Sequence, residues 1–345
     1  VRENGEPAIF AVRIHVTGRR IYEVETVVHR KTALPAPFGN VDNMVHYPAF
    51  NEVLEPAERR SRARLLAIAD SYFDTVEVND GQVFAPFHDD CGRLENGIST
   101  TSSGPGTGAA NIAAGCEAQF KLGIYRINKR IRERLYPIID EERGVVVASG
   151  FFDHANEWDR YLLTDGREMR TALKWPNSIT LLEAFRIKDA KIHRIEAVFT
   201  YVPYFMHNPW AGPGPTPPRH APDPAACDAV CLAGLATQVM TSYPTRNWNA
   251  LDWADRVAYN ENSVGLQVGE GIWGSTTAVD GNPLVVADAQ TGKAVWIGRI
   301  AEHGQPAWAA ITVQAAGKRI GGIEAVIRRK EYGPTRPAGT CCCPP

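Results

Sequence analysis

The sequence predicts an α+β fold: repeated cone-shaped domains in which helices pack on a curved antiparallel sheet. Three observations carry this expectation. A closing segment recurs along the chain, each recurring unit runs from helix to a train of strands, and proline-rich joints separate the units.

GRRIYEVETVVHRK (Gly18 to Lys31) returns near the other end as GKRIGGIEAVIRRK (Gly317 to Lys330), at a constant offset of 299 positions. Glu3, Gly5 and Pro7 fall on Glu302, Gly304 and Pro306 at the same offset, without a gap. A third copy, IKDAKIHRIEAVFT (Ile187 to Thr200), sets Glu196 and Val198 where the others have Glu25 and Val27. Upstream, LENGI (Leu94 to Ile98) falls on NENSV (Asn260 to Val264). Units of this length are whole domains, not solenoid repeats.

The joints fix the boundaries. Residues 1–31 read as the closing hairpin of a domain whose earlier part lies outside the sequence. Residues 32–55, with Pro35, Pro37 and Pro48, read as a linker, and 56–205 as a complete domain. Residues 206–227 carry seven prolines, too many for a helix or central strand. Residues 228–332 read as a second, shorter domain and 333–345 as a disordered tail.

Within the first complete unit, residues 58–77 read as a helix. Leu65, Leu66, Ala69, Tyr72, Phe73 and Val76 recur at helical steps and form one apolar stripe. Asp80-Gly81 stops it, and a short second helix is expected up to about Asp90. CGRLENGISTT is strand-like, and Cys116 to Leu135 reads as a third helix with a basic outer face. The runs YPIID, GVVVASGFFDH, SITLLEAFRI and KIHRIEAVFTYV then read as strands, joined by turn-like DEERG and KDAK. Helices followed by a meander is an α+β pattern. The last unit repeats the order, with a helix from Cys227 to about Met240 and strands in PLVVADAQ, KAVWIGRIAE, PAWAAITVQ and KRIGGIEAVIRR.

ADSYFD (Ala69 to Asp74), DCGRLENG (Asp90 to Gly97), YPIIDEERGVV (Tyr136 to Val146), FFDH (Phe151 to His154), DRVAYNENS (Asp255 to Ser263) and GEGIWG (Gly269 to Gly274) together resemble SnoaL-like domains of the nuclear-transport-factor-2-like superfamily. The likeness covers nearly the whole chain apart from linkers and tail. It implies a conical apolar cavity between sheet and first helix. The superfamily includes ketosteroid isomerase-like, dehydratase and polyketide cyclase enzymes and also non-catalytic binding modules, so the fold does not choose the function.

Glu183 sits mid-strand in TLLEAFRI, where the other copies have Val12 and Ile311. If its face points inward, desolvation raises its pKa, as a general base needs; if outward, it is an ordinary surface acid. Alternation alone leaves both open. Tyr72 on the helix stripe and Tyr201 on the last strand are its candidate catalytic partners, each equally readable as core. Arg93 and Glu95, on the strand expected at the cavity mouth, with Phe73 and Phe185, are candidate ligand contacts. Glu95-Asn96 repeats as Glu261-Asn262, which favours architecture over catalysis. Glu196, repeated as Glu25 and Glu324, reads as a partner for a cation on a neighbouring strand.

Other motifs take plainer readings. Asp153-His154 falls on Glu302-His303, each pair followed by a turn-like stretch, so it reads as a hairpin corner rather than a dyad. GEGIWG matches the dinucleotide-binding pattern, but Ser275, Thr276 and Thr277 follow it and it opens no helix pattern; it reads as a glycine-rich loop. Cys91 and Cys116, at the starts of a strand and a helix, are expected to form a disulfide, which would point outside the cytoplasm. Cys227 and Cys231 read as separate thiols, and GTCCCPP as a tail without a metal site.

Net charge of −2 gives no general pull toward nucleic acid or anionic membrane, and no run is long and apolar enough to span a bilayer. The sequence thus points to two functions. One is a module that binds a small hydrophobic molecule or associates through its sheets, as a homodimer or by pairing within the chain. The other is an acid–base isomerase, dehydratase or cyclase acting on a hydrophobic carbonyl compound in the middle domain. Neither calls for a cofactor or metal.

Overall fold

The structure is a computed structural model that describes residues 1–30, 39–42, 45–101, 114–171, 173–208 and 218–329. The expected tail lies outside the described residues. Strands dominate and helices are few, an α+β composition.

The first thirty residues form a three-stranded sheet of β1 (Arg2–Glu3), β2 (Glu6–Thr17) and β3 (Arg20–Arg30). Alternation gives the β2–β3 ribbon two faces. Ile9 and Val27 pack on Leu182 and Val198 of the next sheet, which supplies the support a two-stranded ribbon needs. The opposite face leaves Phe10, Val12, Ile14 and Val16 exposed. Arg13 pairs with Glu25 across the ribbon at 2.8 Å.

The middle of the chain begins with α1 (Arg62–Val78). Ser61 caps its start, its hydroxyl accepting from the Arg64 N–H, and Asn79 ends it in the left-handed region. Leu65, Ile68, Ala69, Tyr72, Phe73 and Val76 form its buried stripe, whereas Leu66 is turned to solvent. The short second helix does not form: β4 (Phe87–Glu95) begins where it was expected, followed by β5 (Ile98–Ser99). The third helix is shorter than expected. α2 (Cys116–Leu122) stops at Gly123, whose φ of 68° ends the helix, and β6 (Arg130–Asp140) takes the rest. The basic residues of RIRER alternate across a strand; Glu133, at φ 54°, interrupts its register.

β7 (Val145–His154), a small β8 (Arg160–Leu162) and β9 (Glu168–Arg170) ribbon, β10 (Asn177–Lys188) and β11 (Lys191–Pro203) complete this part. The main sheet runs β5-β4-β11-β10-β7-β6. It is mixed, not wholly antiparallel as expected, because β4 lies parallel to β11. The chain reaches β11 through the helices and the meander rather than by a hairpin, and that return sets the direction of the pairing.

The C-terminal part has α3 (Ala229–Thr245), β12 (Trp253–Glu261), β13 (Val264–Leu266), a four-residue α4 (Ile272–Ser275) in the glycine-rich segment, and strands β14 (Thr276–Val279), β15 (Leu284–Asp288), β16 (Lys293–Glu302), β17 (Gln305–Ala316) and β18 (Arg319–Arg329). Its sheet runs β13-β12-β18-β17-β16-β14, with β12 again parallel to β18. Cys227 and Cys231, expected as separate thiols, are bonded, with Cα atoms 5.2 Å apart. Cys227 precedes the N-cap Asp228, whose backbone is extended. The pair is therefore not held at helical i, i+4 spacing.

Candidate functional site

Strand pairing decides which way Glu183 points. Glu183 on β10 faces Ala197 on β11, and Ala197 faces Glu95 on β4. Directly paired residues share a face of a sheet, so the two carboxylates stand on one face with the small Ala197 between them. That is the concave face, under α1. The row Ile311, Ala325 and Glu261 is its counterpart in the C-terminal sheet. One acid distinguishes the two.

A cavity opens above this row. Ile179, Leu181 and Glu183 line it from β10, and Ala197, Phe199 and Tyr201 from β11. Arg93 and Glu95 enter from β4, Phe152 and His154 from β7, and Tyr72 and Val76 from α1. The space admits the centres of water-sized molecules over about 60 Å³, several times the roughly 10–15 Å³ that one water requires. In the C-terminal sheet the corresponding space is filled: Trp273 and Trp296 are buried in its core with Tyr243 and Tyr259.

Glu183 is 2 % exposed, and its Oε2 has no hydrogen-bond partner. Burial pushes its pKa up to about 8, the Glu95 charge adds to the shift, and Arg93 and the Tyr72 hydroxyl oppose it. At neutral pH the protonated form then predominates. Glu95 Oε2 is likewise buried without a hydrogen bond, 3.6 Å from Arg93 Nε.

Arg93 is buried on the cavity wall. It donates to Thr100 Oγ1 at 3.2 Å, to Gln119 Oε1 at 2.6 Å and to the Tyr125 hydroxyl, with its guanidinium 4.8 Å from the Tyr125 ring centre. Burial works against its charge, but Tyr125, Glu95, Tyr72 and Glu183 outweigh that and its pKa is raised. With Nε and Nη2 engaged, Arg93 serves as a fixed positive charge. Burial raises the Tyr72 and Tyr201 pKa values, so both phenols stay protonated hydrogen-bond donors.

The disulfide between Cys91 and Cys116 is formed, with Cα atoms 5.7 Å apart. It ties β4 to α2, two residues from Arg93 and three from Gln119. Closing a loop of this size stabilises by about 3 kcal/mol.

Phe73 and Phe185 are not on the cavity wall. They pack against each other and against Tyr72 in the core, at ring separations of 5.0–5.7 Å, and hold the Tyr72 ring from behind. Asn96 is architectural: its side chain accepts from Phe199 N at 2.9 Å and donates to Phe199 O at 3.0 Å, continuing the sheet where the backbone turns.

His154, read as a hairpin corner, ends β7 next to a turn but also lines the cavity. Asn177 Nδ2 donates to Trp175 O, so its Oδ1 is the acceptor facing His154 Nδ1, 3.0 Å away. This leaves the Nε2 lone pair as the basic position. Burial lowers the His154 pKa and keeps the ring neutral. Tyr125 was missed because it fell inside an expected helix. Counting outward from the Glu183 row on paired strands finds His154; the repeat alone does not.

Residues 58–199 match the family model of a domain of unknown function, DUF8021. That stretch carries every candidate residue named above except Tyr201. A search of curated proteins finds no match. Among solved structures, the chain is similar to the crystal structure named "putative ketosteroid isomerase from Kribbella flavida DSM 17836", with 14 % identity over 31 % of this chain and 84 % of that one, and a TM-score of 0.24.

Proposed function

We propose that the middle of the chain binds a small, largely apolar carbonyl compound and that Glu183 transfers a proton on it, the chemistry of an isomerase, dehydratase or cyclase. The observation that carries this is the Glu183 carboxyl: buried, on the wall of an aromatic cavity, with one oxygen unpartnered and a pKa near 8. An acid with a pKa near the working pH can both take and return a proton. The ionised form removes a proton from the carbon next to the carbonyl. The charge that develops on the carbonyl oxygen is met by the Tyr72 or Tyr201 hydroxyl, with the Arg93 charge on the same wall adding positive field.

In architecture we read the middle and C-terminal sheets as tandem SnoaL-like domains, on the strength of their common strand order and the matched rows through Ala197 and Ala325. The two disulfides favour an oxidising compartment. The exposed apolar face of the β2–β3 ribbon favours a second role, association through the sheets, which a concentration-dependent mass by light scattering would reveal.

The test uses the full chain and exchange of α-protons of acetophenone and related ketones for deuterium, followed by NMR. Glu183→Gln should lose exchange by about 100-fold or more while still binding ketone. Unchanged exchange in the variant would remove the assignment.

A further inference from the structure

We propose that the ligand is elongated and bipartite: its carbonyl-bearing apolar head lies beside Glu183, and an uncharged polar tail lies in the cleft between the middle and C-terminal sheets. The C-terminal part thereby supplies the outer half of the site. This rests on the reading of the inner cavity as a ligand site and extends it.

The cavity has a direction. Along β11, Ala197 lies level with Glu183, Phe199 follows, then Tyr201, while Val202 and Pro203 line a second space. Along β10 the order outward is Glu183, Leu181, Ile179 and then Asn177, which also lines the second space. Tyr201 lines both. The loop before β10 is shared too, with Leu173 on the inner cavity and Trp175 on the outer space. The His154–Asn177 hydrogen bond spans the same wall.

The outer space is a cleft that admits the centres of water-sized molecules over about 280 Å³, and its far wall is Glu261, Asn262 and Arg329 of the C-terminal part. The two parts are bonded together around it. Arg130 and the Tyr204 hydroxyl both donate to Glu270, the latter at 3.0 Å. His303 Nε2 lies 2.6 Å from Asn156 O, and Arg246 donates to Glu157 O at 3.1 Å. The outer space, which meets the inner cavity at Tyr201, is therefore walled on its far side by a fixed surface of the C-terminal part.

Length and charge define the ligand class. From the Glu183 level to Tyr201 is four strand residues, about 13 Å at roughly 3.3 Å each, and about 20 Å to Pro203. A single-ring ketone fills only the inner part. On the far wall Arg329 is bridged to Glu302 at 2.6 Å and to Glu261 at 2.9 Å. One guanidinium against two carboxyl groups leaves no positive charge to hold an anion. A hydroxyl-ended tail fits and a carboxylate-ended tail does not.

Three probes test this by calorimetry on the full chain: acetophenone, its para-hexyloxy derivative ending in a hydroxyl, and the same derivative ending in a carboxylate. The hydroxyl-ended probe should bind about tenfold tighter than acetophenone, or about 1.4 kcal/mol, and the carboxylate-ended probe no tighter. Pro176→Trp and, separately, Pro203→Trp, which crowd the cleft and adjoin none of the proposed proton-transfer groups, should erase the advantage and leave acetophenone binding unchanged. Equal affinity of all three probes, a carboxylate preference, failure of the hydroxyl-ended probe to bind, or plugs without effect would overturn the proposal. The Glu183→Gln exchange assay fails or succeeds independently of the tail effect, so the two readings are separable.

Discussion

Replacing Glu183 by Gln should change how stability depends on pH, with a magnitude set by the site. The carboxyl titrates at 4.5 when unperturbed and at about 8 in the fold. Its folded pKa is raised, so the folded state holds the proton where the unfolded state has released it. Its favourable contribution is complete below about pH 4.5, falls as pH rises, and is gone above about pH 8. At 1.36 kcal/mol per pH unit, the wild type should lose about 4 kcal/mol of stability between about pH 5 and about pH 9 from this group alone. Gln keeps the shape and cannot ionise, so the variant lacks that loss. Urea unfolding with disulfides intact, in matched buffers, gives the difference curve. The variant should match the wild type near pH 5 and exceed it by about 4 kcal/mol near pH 9. Parallel curves would refute the claim that burial holds this proton.

Other consequences follow from the same geometry. If ionised Glu183 is the base, kcat/KM for α-proton exchange should rise with pH and level off above about 8; a profile flat through that range contradicts it. Non-reduced peptide mapping should recover Cys91 joined to Cys116 and Cys227 to Cys231, and Cys91→Ser with Cys116→Ser should cost about 3 kcal/mol in urea unfolding. Asn96→Ala removes the two hydrogen bonds that its side chain makes to the Phe199 backbone and should cost about 1–3 kcal/mol, more than an exposed turn residue would. Ala197→Leu fills the floor between the two glutamates and should abolish ketone binding while the chain still folds, as judged by circular dichroism.

The strands β10, β11 and β15 to β18 were legible in the sequence because β-branched and aromatic runs between turn residues leave few alternatives. The Glu183 position was legible as an acid where the other copies have Val12 and Ile311, but its direction was not. The face depends on which residues pair across strands, and pairing is set by the whole sheet. The third helix was overextended for a related reason: INKRIRER carries cations at spacings that suit a helix surface as well as a twisted strand, and only Gly123 in a left-handed conformation marks the end. The parallel pairing of β4 with β11 could not be read, because it joins segments about a hundred residues apart. His154 reads from the sequence as a hairpin corner because the aligned His303 also precedes a turn-like stretch. Both strand ends do adjoin a turn, and the end at His154 also borders the cavity.

The most direct test is a carbon NMR titration of Glu183 in the full chain, assigned by its loss in Glu183→Gln. The structure predicts a midpoint near 8 that moves when acetophenone is added. A midpoint near the ordinary 4.5, unmoved by ligand, would mean the carboxyl is neither desolvated nor part of a ligand site.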